Sequence, residues 1–222
     1  MMKQKTDKHD AEKGQPEAPR RPGRPSGVTN GAERREHLLM TALNLFASQG
    51  IQETSLTAIA HQAGVTSAML HYYFRTREHL LDVLIDEHFI PVSSSVENIF
   101  EDNANDPIAA ITQLAEKLID ISLENPWFAP MWVREFLSAN GVLKQRLDER
   151  RGSHYKLIAQ QRIADWQAQG RLNADIDPTL VIISLCGLTL LPIASAKRVV
   201  QIDGPVLKQH VMSLLINGLG VK

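Results

Sequence analysis

The chain has 222 residues, 43% of them hydrophobic and 22% charged, with a formal net charge of -1. Enough apolar mass is present for one large domain or two unequal ones, and a single cysteine, Cys186, excludes an intrachain disulfide framework. The neutral total hides an asymmetry: residues 1–80 hold eleven Lys and Arg against eight Asp and Glu, whereas residues 91–222 hold thirteen against fourteen.

Residues 1–31 are rich in Lys, Asp, Glu, Pro and Gly and nearly empty of large apolar side chains. Such a segment cannot offset the entropy of ordering, so a disordered basic arm is expected. It lacks the apolar run of a signal peptide, which leads to the expectation of a cytoplasmic protein. Within it, Arg20-Arg-Pro-Gly-Arg-Pro25 is similar to the core of an AT-hook, in which an arginine such as Arg24 lies in the narrow minor groove of A·T-rich DNA.

From Glu33 the pattern becomes helical. Leu38, Ala42, Leu45 and Phe46 recur at helical spacing and Gly50 supplies a stop. Ser55 stands at an N-cap position before Leu56, Ile59, Ala60 and Ala63, and Gly64 ends that short helix. Thr66 caps a third helix running to Phe74, and Thr76 a fourth carrying Leu80, Leu81, Leu84 and Ile85. Two short helices joined at Gly64-Val65 describe a helix-turn-helix, whose second helix enters the major groove.

That second helix carries no Lys or Arg between Val65 and Phe74. On a 3.6-residue period Leu70, Tyr73 and Phe74 form a core side, while Ser67, Ala68, Met69, His71 and Tyr72 spread over the others. On a DNA-binding face Ser67 and Tyr72 would offer polar contacts and Ala68 and Met69 would suit thymine methyl groups, while an isolated histidine such as His71 is by itself an ordinary surface residue. Most protein–DNA hydrogen bonds go to phosphate and sugar, so attraction can come from elsewhere, here Arg34, Arg35, Arg75, Arg77 and the arm.

Phe46, Gly50, Thr54-Ser55-Leu56, Ile59-Ala60, Ala63-Gly64-Val65-Thr66, Leu70, Tyr73-Phe74, Arg77-Glu78 and Leu80-Leu81, taken in order, strongly resemble the DNA-binding signature of the TetR family of transcriptional regulators. The resemblance covers residues 33–85. It implies that Thr54 or Ser55 meets a phosphate at the start of the second helix, that Thr66 to Tyr72 lie in the groove, and that Arg77 holds a phosphate where such proteins commonly have lysine. Ala68, Met69 and His71 stand where the family more usually shows glycine, threonine and tyrosine, which bears on the operator sequence rather than on the fold.

Beyond Pro91 further helices are predicted near 106–124, 127–138, 141–169, 178–197 and 205–218, with Asp177 and Pro178 opening the fourth and Pro192 expected to kink or end it. No region reads as a strand. The longest apolar run, Leu180 to Ala196, is broken by Ser184, Gly187, Thr189, Pro192 and Ser195 and falls short of the roughly 20 residues a bilayer requires, so a buried helix is expected instead. The predicted organisation is all-α: arm 1–31, helix-turn-helix domain 32–78, and a helical ligand-binding and dimerisation domain 79–222.

Two functions are expected of that last domain. Leu180, Ile183, Leu188 and Leu191 on one helix, with Leu207, Val211, Leu214 and Leu215 on the next, exceed what an exposed monomer surface tolerates, and the resemblance implies a homodimer through the last two helices. The segment Pro126 to Phe136 gathers Trp127, Met131, Trp132 and Phe136, with Arg134 and Glu135 as polar anchors, and the resemblance implies a small-molecule effector bound among these helices.

An enzyme is disfavoured by absent motifs: His61, His71, His79 and His88 lack H-E-x-x-H spacing, there is no P-loop or G-x-S-x-G, and no cysteine cluster can hold zinc. No catalytic residue, metal or cofactor is therefore expected. Cys186 reads as a packed thiol, since nothing cationic flanks it. The remaining alternative to a sequence-specific regulator is a non-specific architectural DNA binder using the arm.

Overall fold

The computed structural model describes residues 31–138, 141–151, 154–196 and 202–220, and among these it is helical with no strand. Leu38, Leu39, Ala42, Leu43 and Phe46 are fully buried along α1 (Gly31–Gln49), the axis around which the N-terminal helices assemble. Gly31, expected in the arm, already belongs to this helix. Gly50 ends it at φ 110°, a conformation open to glycine but strained for other residues.

α2 (Leu56–Gln62), α3 (Ser67–Tyr73) and α4 (Arg77–Leu84) each begin where a hydroxyl was expected to cap them. Ser55 accepts from the Ala58 amide at 3.1 Å, Thr66 from Met69 at 3.2 Å and Thr76 from His79 at 3.1 Å. Each bond satisfies an otherwise unpaired donor of the first turn. Gly64, at φ 68°, closes α2, and the Val65 amide reaches back to the Ala60 carbonyl at 3.0 Å.

α4 does not stop at Leu84. It passes through a π-turn, Ile85–Phe89, into α5 (Ile90–Ser94) with helical backbone angles at each junction. After the short α6 (Ile99–Asp102), the larger helices follow: α7 (Pro107–Glu124), α8 (Phe128–Leu137), α9 (Val142–Arg151), α10 (His154–Ala168), α11 (Pro178–Ser195) and α12 (Gly204–Leu219). α7 is the centre of this part, packed by α12 on one side and α11 on another, while α11 also lies against α8 and α10. α8 in turn rests on α1, which joins the two parts of the molecule.

Of the helix predicted over 141–169, α9 and α10 are the described parts, on either side of residues 152 and 153, which lie outside the described residues. Other expectations are corrected. Pro192 neither ends nor precedes the end of α11 by much: the helix runs on to Ser195. The proline removes one amide donor three residues before the helix ends, and the Ser195 hydroxyl donates to the Leu191 carbonyl at 2.9 Å. Leu207, Val211 and Leu215, expected on a subunit surface, point inward and are buried. Their face packs along α7, and the Lys208–Asp120 ion pair at 2.6 Å ties the same two helices.

Candidate nucleic-acid interface

α3 presents two unlike sides. Leu70 and Phe74 are buried in the core shared with α1 and α4, and Tyr73 is half-buried beside them. Thr66, Ser67, Ala68, His71 and Tyr72 are exposed and Met69 is half-buried. Tyr72 stands out at 82% exposure, a large apolar ring with no core to cover it. Its edge meets the Tyr73 ring at 5.2 Å between centroids, which props it upright on the ridge. His71 Nδ1 lies 3.3 Å from the Arg75 carbonyl at the helix end, orienting the imidazole. The ridge from Ser67 to Tyr72 is thus a contiguous surface of hydroxyl, methyl, thioether, imidazole and phenol, held by a core side that fixes its height.

The turn between α1 and α2 is built differently from the expectation. Thr54 is only 1% exposed, and its hydroxyl donates to the Gly50 carbonyl at 2.7 Å. It closes the turn and has no surface to offer a phosphate; Ser55, exposed and capping α2, is the residue at the helix start that does. Arg77 is also engaged internally, its Nη1 donating to the carbonyls of Ile51 at 3.2 Å and Gln52 at 3.0 Å. Arg134 of α8 does the same from the other side, donating to Gln49 at 3.0 Å and Ser48 at 3.1 Å. The last carbonyls of a helix carry partial negative charge; Arg134 collects those of α1, while Arg77 holds carbonyls of the turn that follows.

Arg35, counted among the sources of attraction, is committed as well. It grips Glu87 through two bonds of 2.6 Å, which hold the Glu87 carboxyl below its ordinary range and raise the guanidinium's own value. Arg75, exposed at the C-terminus of α3, is the basic side chain placed closest in sequence to the ridge. Arg24 and the rest of the arm lie outside the described residues.

The aromatic cluster predicted to line a pocket divides. Trp127 and Met131 are buried, Trp127 packing against Phe89 and Phe128, so they belong to the core. Trp132 and Phe136 stack at 5.0 Å with planes 8° apart and are half-buried. Arg134 faces α1 rather than a ligand, and Glu135, 6% exposed, accepts the Leu143 amide at 3.1 Å, bridging α8 to α9. A depression of about 660 Å³ is lined instead by Gln52, Gly141, Val142, Lys144, Gln145, Asp148 and Glu149. None of Trp127, Met131, Trp132, Arg134, Glu135 and Phe136 lines it.

Residues 38–84, from the first buried leucines of α1 to the end of α4, match a family model described as bacterial regulatory proteins, tetR family. Helices α1 to α4 are thus similar to the N-terminal region of TetR-family regulators. Among curated relatives, the HTH-type transcriptional regulator RutR of Escherichia coli strain K12 is 28% identical over 180 residues, 80% of this chain and 82% of the relative. The HTH-type transcriptional repressor KstR2 of Mycolicibacterium smegmatis is 29% identical over 90 residues, 40% of this chain and 43% of the relative. The solved structure of the ketosteroid transcriptional regulator KstR2 of Mycobacterium tuberculosis superposes with a TM-score of 0.67 at 18% identity, covering 85% of this chain and 96% of that one. That last likeness is one of fold, and it extends the all-α architecture beyond the TetR-type N-terminal domain.

Three groups escaped sequence reading: Arg35 with Glu87, Arg77 with the α1–α2 turn, and Arg146 and Arg150 of α9 with Asp82 and Asp86 of the α4 rod. Partners 25 to 68 residues apart leave no local periodicity to find them by.

Proposed function

We propose that this chain is a TetR-family regulator, a ligand-responsive repressor that binds a palindromic operator as a homodimer, in the cytoplasm. The observation that carries the reading is the ridge of α3: a side of a helix-turn-helix second helix that is solvent-exposed, mixed polar and apolar, and rigidly mounted. Ser67 and Tyr72 supply hydrogen bonds to base edges or phosphates, Ala68 and Met69 contact thymine methyls, His71 donates, and Thr66 and Ser55 offer hydroxyls and helix N-termini to phosphates. Thr54 and Arg77 serve the reader indirectly by fixing the turn that carries it.

A symmetric reader needs a partner that places two copies of α3 about 34–36 Å apart. The surface that supports such pairing is α11, where Leu180, Ile183 and Leu191 are 55%, 47% and 49% exposed and share a stripe with Ser184, Gly187 and Leu188. Val206, Leu214 and Ile216 add exposed apolar area on α12. α11 is long and apolar enough to cross a membrane by length and composition alone. Its opposite face, with Val181, Leu185, Cys186, Thr189 and Leu190, is packed into the helical core, which favours a subunit surface over a lipid one.

The effector acts by favouring one of two arrangements of the dimer, since only differential binding shifts an equilibrium. The half-buried Trp132 and Phe136 pair lies on α8, which also packs on α1, and this supports a sensor role for α8. Selection from random duplexes by the full chain, followed by competition with unrelated DNA, tests the reading. A two-fold symmetric preferred site supports it; equal affinity for all duplexes supports the architectural alternative.

A further inference from the structure

Three successive residues of the π-turn face in different directions. Asp86 accepts from Arg150 Nε of α9 at 2.9 Å, Glu87 accepts both terminal nitrogens of Arg35 of α1 at 2.6 Å, and His88 Nε2 lies 3.5 Å from a Glu36 carboxylate oxygen. A π-turn adds one residue to the helical repeat, which rotates the side chains that follow and lets one rod address neighbours on both sides. Phe89, the last residue of the turn, stacks on Phe128 at 5.4 Å and so seats the turn in the core.

Arg35 does more than close this pair. Its guanidinium carbon sits 5.6 Å from the centre of the Phe74 ring, and Phe74 is the C-terminal cap of α3, 1% exposed. The Phe74 amide donates to the Leu70 carbonyl at 2.8 Å, so the ring and the last turn of α3 move as one piece. A guanidinium over an aromatic face attracts it, and the forked grip of a carboxylate fixes the guanidinium's plane. Glu87 therefore sets the orientation of Arg35, and Arg35 sets the position of Phe74.

We propose that Arg35 is a positioning residue for sequence readout: held by Glu87, it seats the C-terminal end of α3 through Phe74, and it is not a phosphate contact. The proposal rests on the reading of α3 as the DNA reader. It places a basic residue of α1, which composition alone would assign to backbone attraction, in an internal joint between the recognition helix and the rod leading into the C-terminal part. Arg35 also connects α3 to a turn in which Asp86, the residue before Glu87, is held from α9, so the seat of the reader depends on both parts of the chain.

The test uses full-length protein carrying Arg35→Gln, Glu87→Gln, both together, or Arg35→Lys, and a duplex that the wild-type chain selects from a random pool. Two readouts are taken: affinity across a salt series, and amide hydrogen exchange of Leu70 to Phe74. We expect each single Gln variant to lose roughly fivefold in affinity, the double variant to lose no more than either, and all salt slopes to stay parallel to wild type. Arg35→Lys, which keeps charge but not the fork, falls with the others. Exchange at the end of α3 quickens in every variant.

A phosphate contact behaves otherwise: Glu87→Gln frees the guanidinium and leaves affinity unchanged or raised, Arg35→Gln lowers the log–log salt slope by about 0.9, and Arg35→Lys resembles wild type. That pattern, or additive losses, overturns the proposal. Should the wild-type chain select no duplex, the reading of α3 as a reader falls, and exchange decides alone: unchanged protection of Leu70 to Phe74 in the variants overturns the seating of α3 by Arg35, and quickened exchange upholds it.

Discussion

Asp82 of α4 and Arg150 of α9 meet at 2.6 Å, and Arg146, one helical turn earlier in α9, joins the same carboxylate oxygen. Both arginines come from the C-terminal helical part, whereas Asp82 lies in the stretch that matches the family's DNA-binding region. Burial works against ionised Asp82, but the hydrogen bonds from Arg150 and Arg146 outweigh it and hold the carboxyl below its ordinary value. If the cluster is an interaction rather than a coincidence of surfaces, Asp82→Asn and Arg150→Gln are not independent. A double-mutant cycle in urea denaturation should return a coupling of about 1 kcal/mol, the size expected of a partly exposed, multiply bonded pair.

The same groups set the acid limit of the fold. Asp82 and Glu87 both have folded-state values below their ordinary 3.8 and 4.5. The unfolded chain therefore binds more protons in acid, so their stabilisation is complete above those ordinary values and is lost as pH falls through the depressed ones. Stability measured by urea midpoint should be level on this account from neutral pH down to the ordinary carboxylate range and then decline. The Asp82→Asn, Glu87→Gln double variant should show a shallower decline in that acid window, and an identical one would remove these two groups from the explanation.

Gly64 offers a cleaner probe of the turn. It sits at φ 68°, yet a Cβ added there meets nothing within 4 Å. Gly64→Ala therefore carries a backbone cost without a clash, about 1 kcal/mol. Thermal denaturation should show that loss, and a neutral or stabilised variant would mean the turn relaxes.

Much of the N-terminal fold was legible because its signals are local. Ser55, Thr66 and Thr76 each cap the helix they precede, and Gly50 and Gly64 both adopt positive φ where a stop was read. Asp177 and Pro178 open α11 as predicted. What could not be read was anything that depends on a distant partner. A threonine at the end of a turn looks the same whether its hydroxyl faces water or, as in Thr54, a carbonyl four residues back. The basic residues Arg35 and Arg77 likewise look like phosphate ligands until Glu87 and the Ile51 and Gln52 carbonyls are brought to them by folding. Periodicity gives a helix two apolar faces without saying which is inside, and on α12 Leu207, Val211 and Leu215 proved to be the inner one.

That distinction sharpens the subunit prediction. Ile183 lies at the middle of the exposed α11 stripe and Val211 at the middle of the buried α12 face. Ile183→Asp should convert a dimer to a folded monomer in sedimentation velocity, with helical content retained, because it charges a surface that only a partner covers. Val211→Asp should instead unfold the chain. A dimer that survives Ile183→Asp would move the interface away from α11.

The account depends most on the ridge from Ser67 to Tyr72 being what distinguishes one duplex from another. The direct measurement is selection from a random duplex pool by wild type and by folded Ser67→Ala, Met69→Ala and Tyr72→Ala variants. Changed base preferences at restricted positions, with the salt dependence of non-specific binding retained, are the predicted result. The same preferred sequence from all four proteins would contradict it.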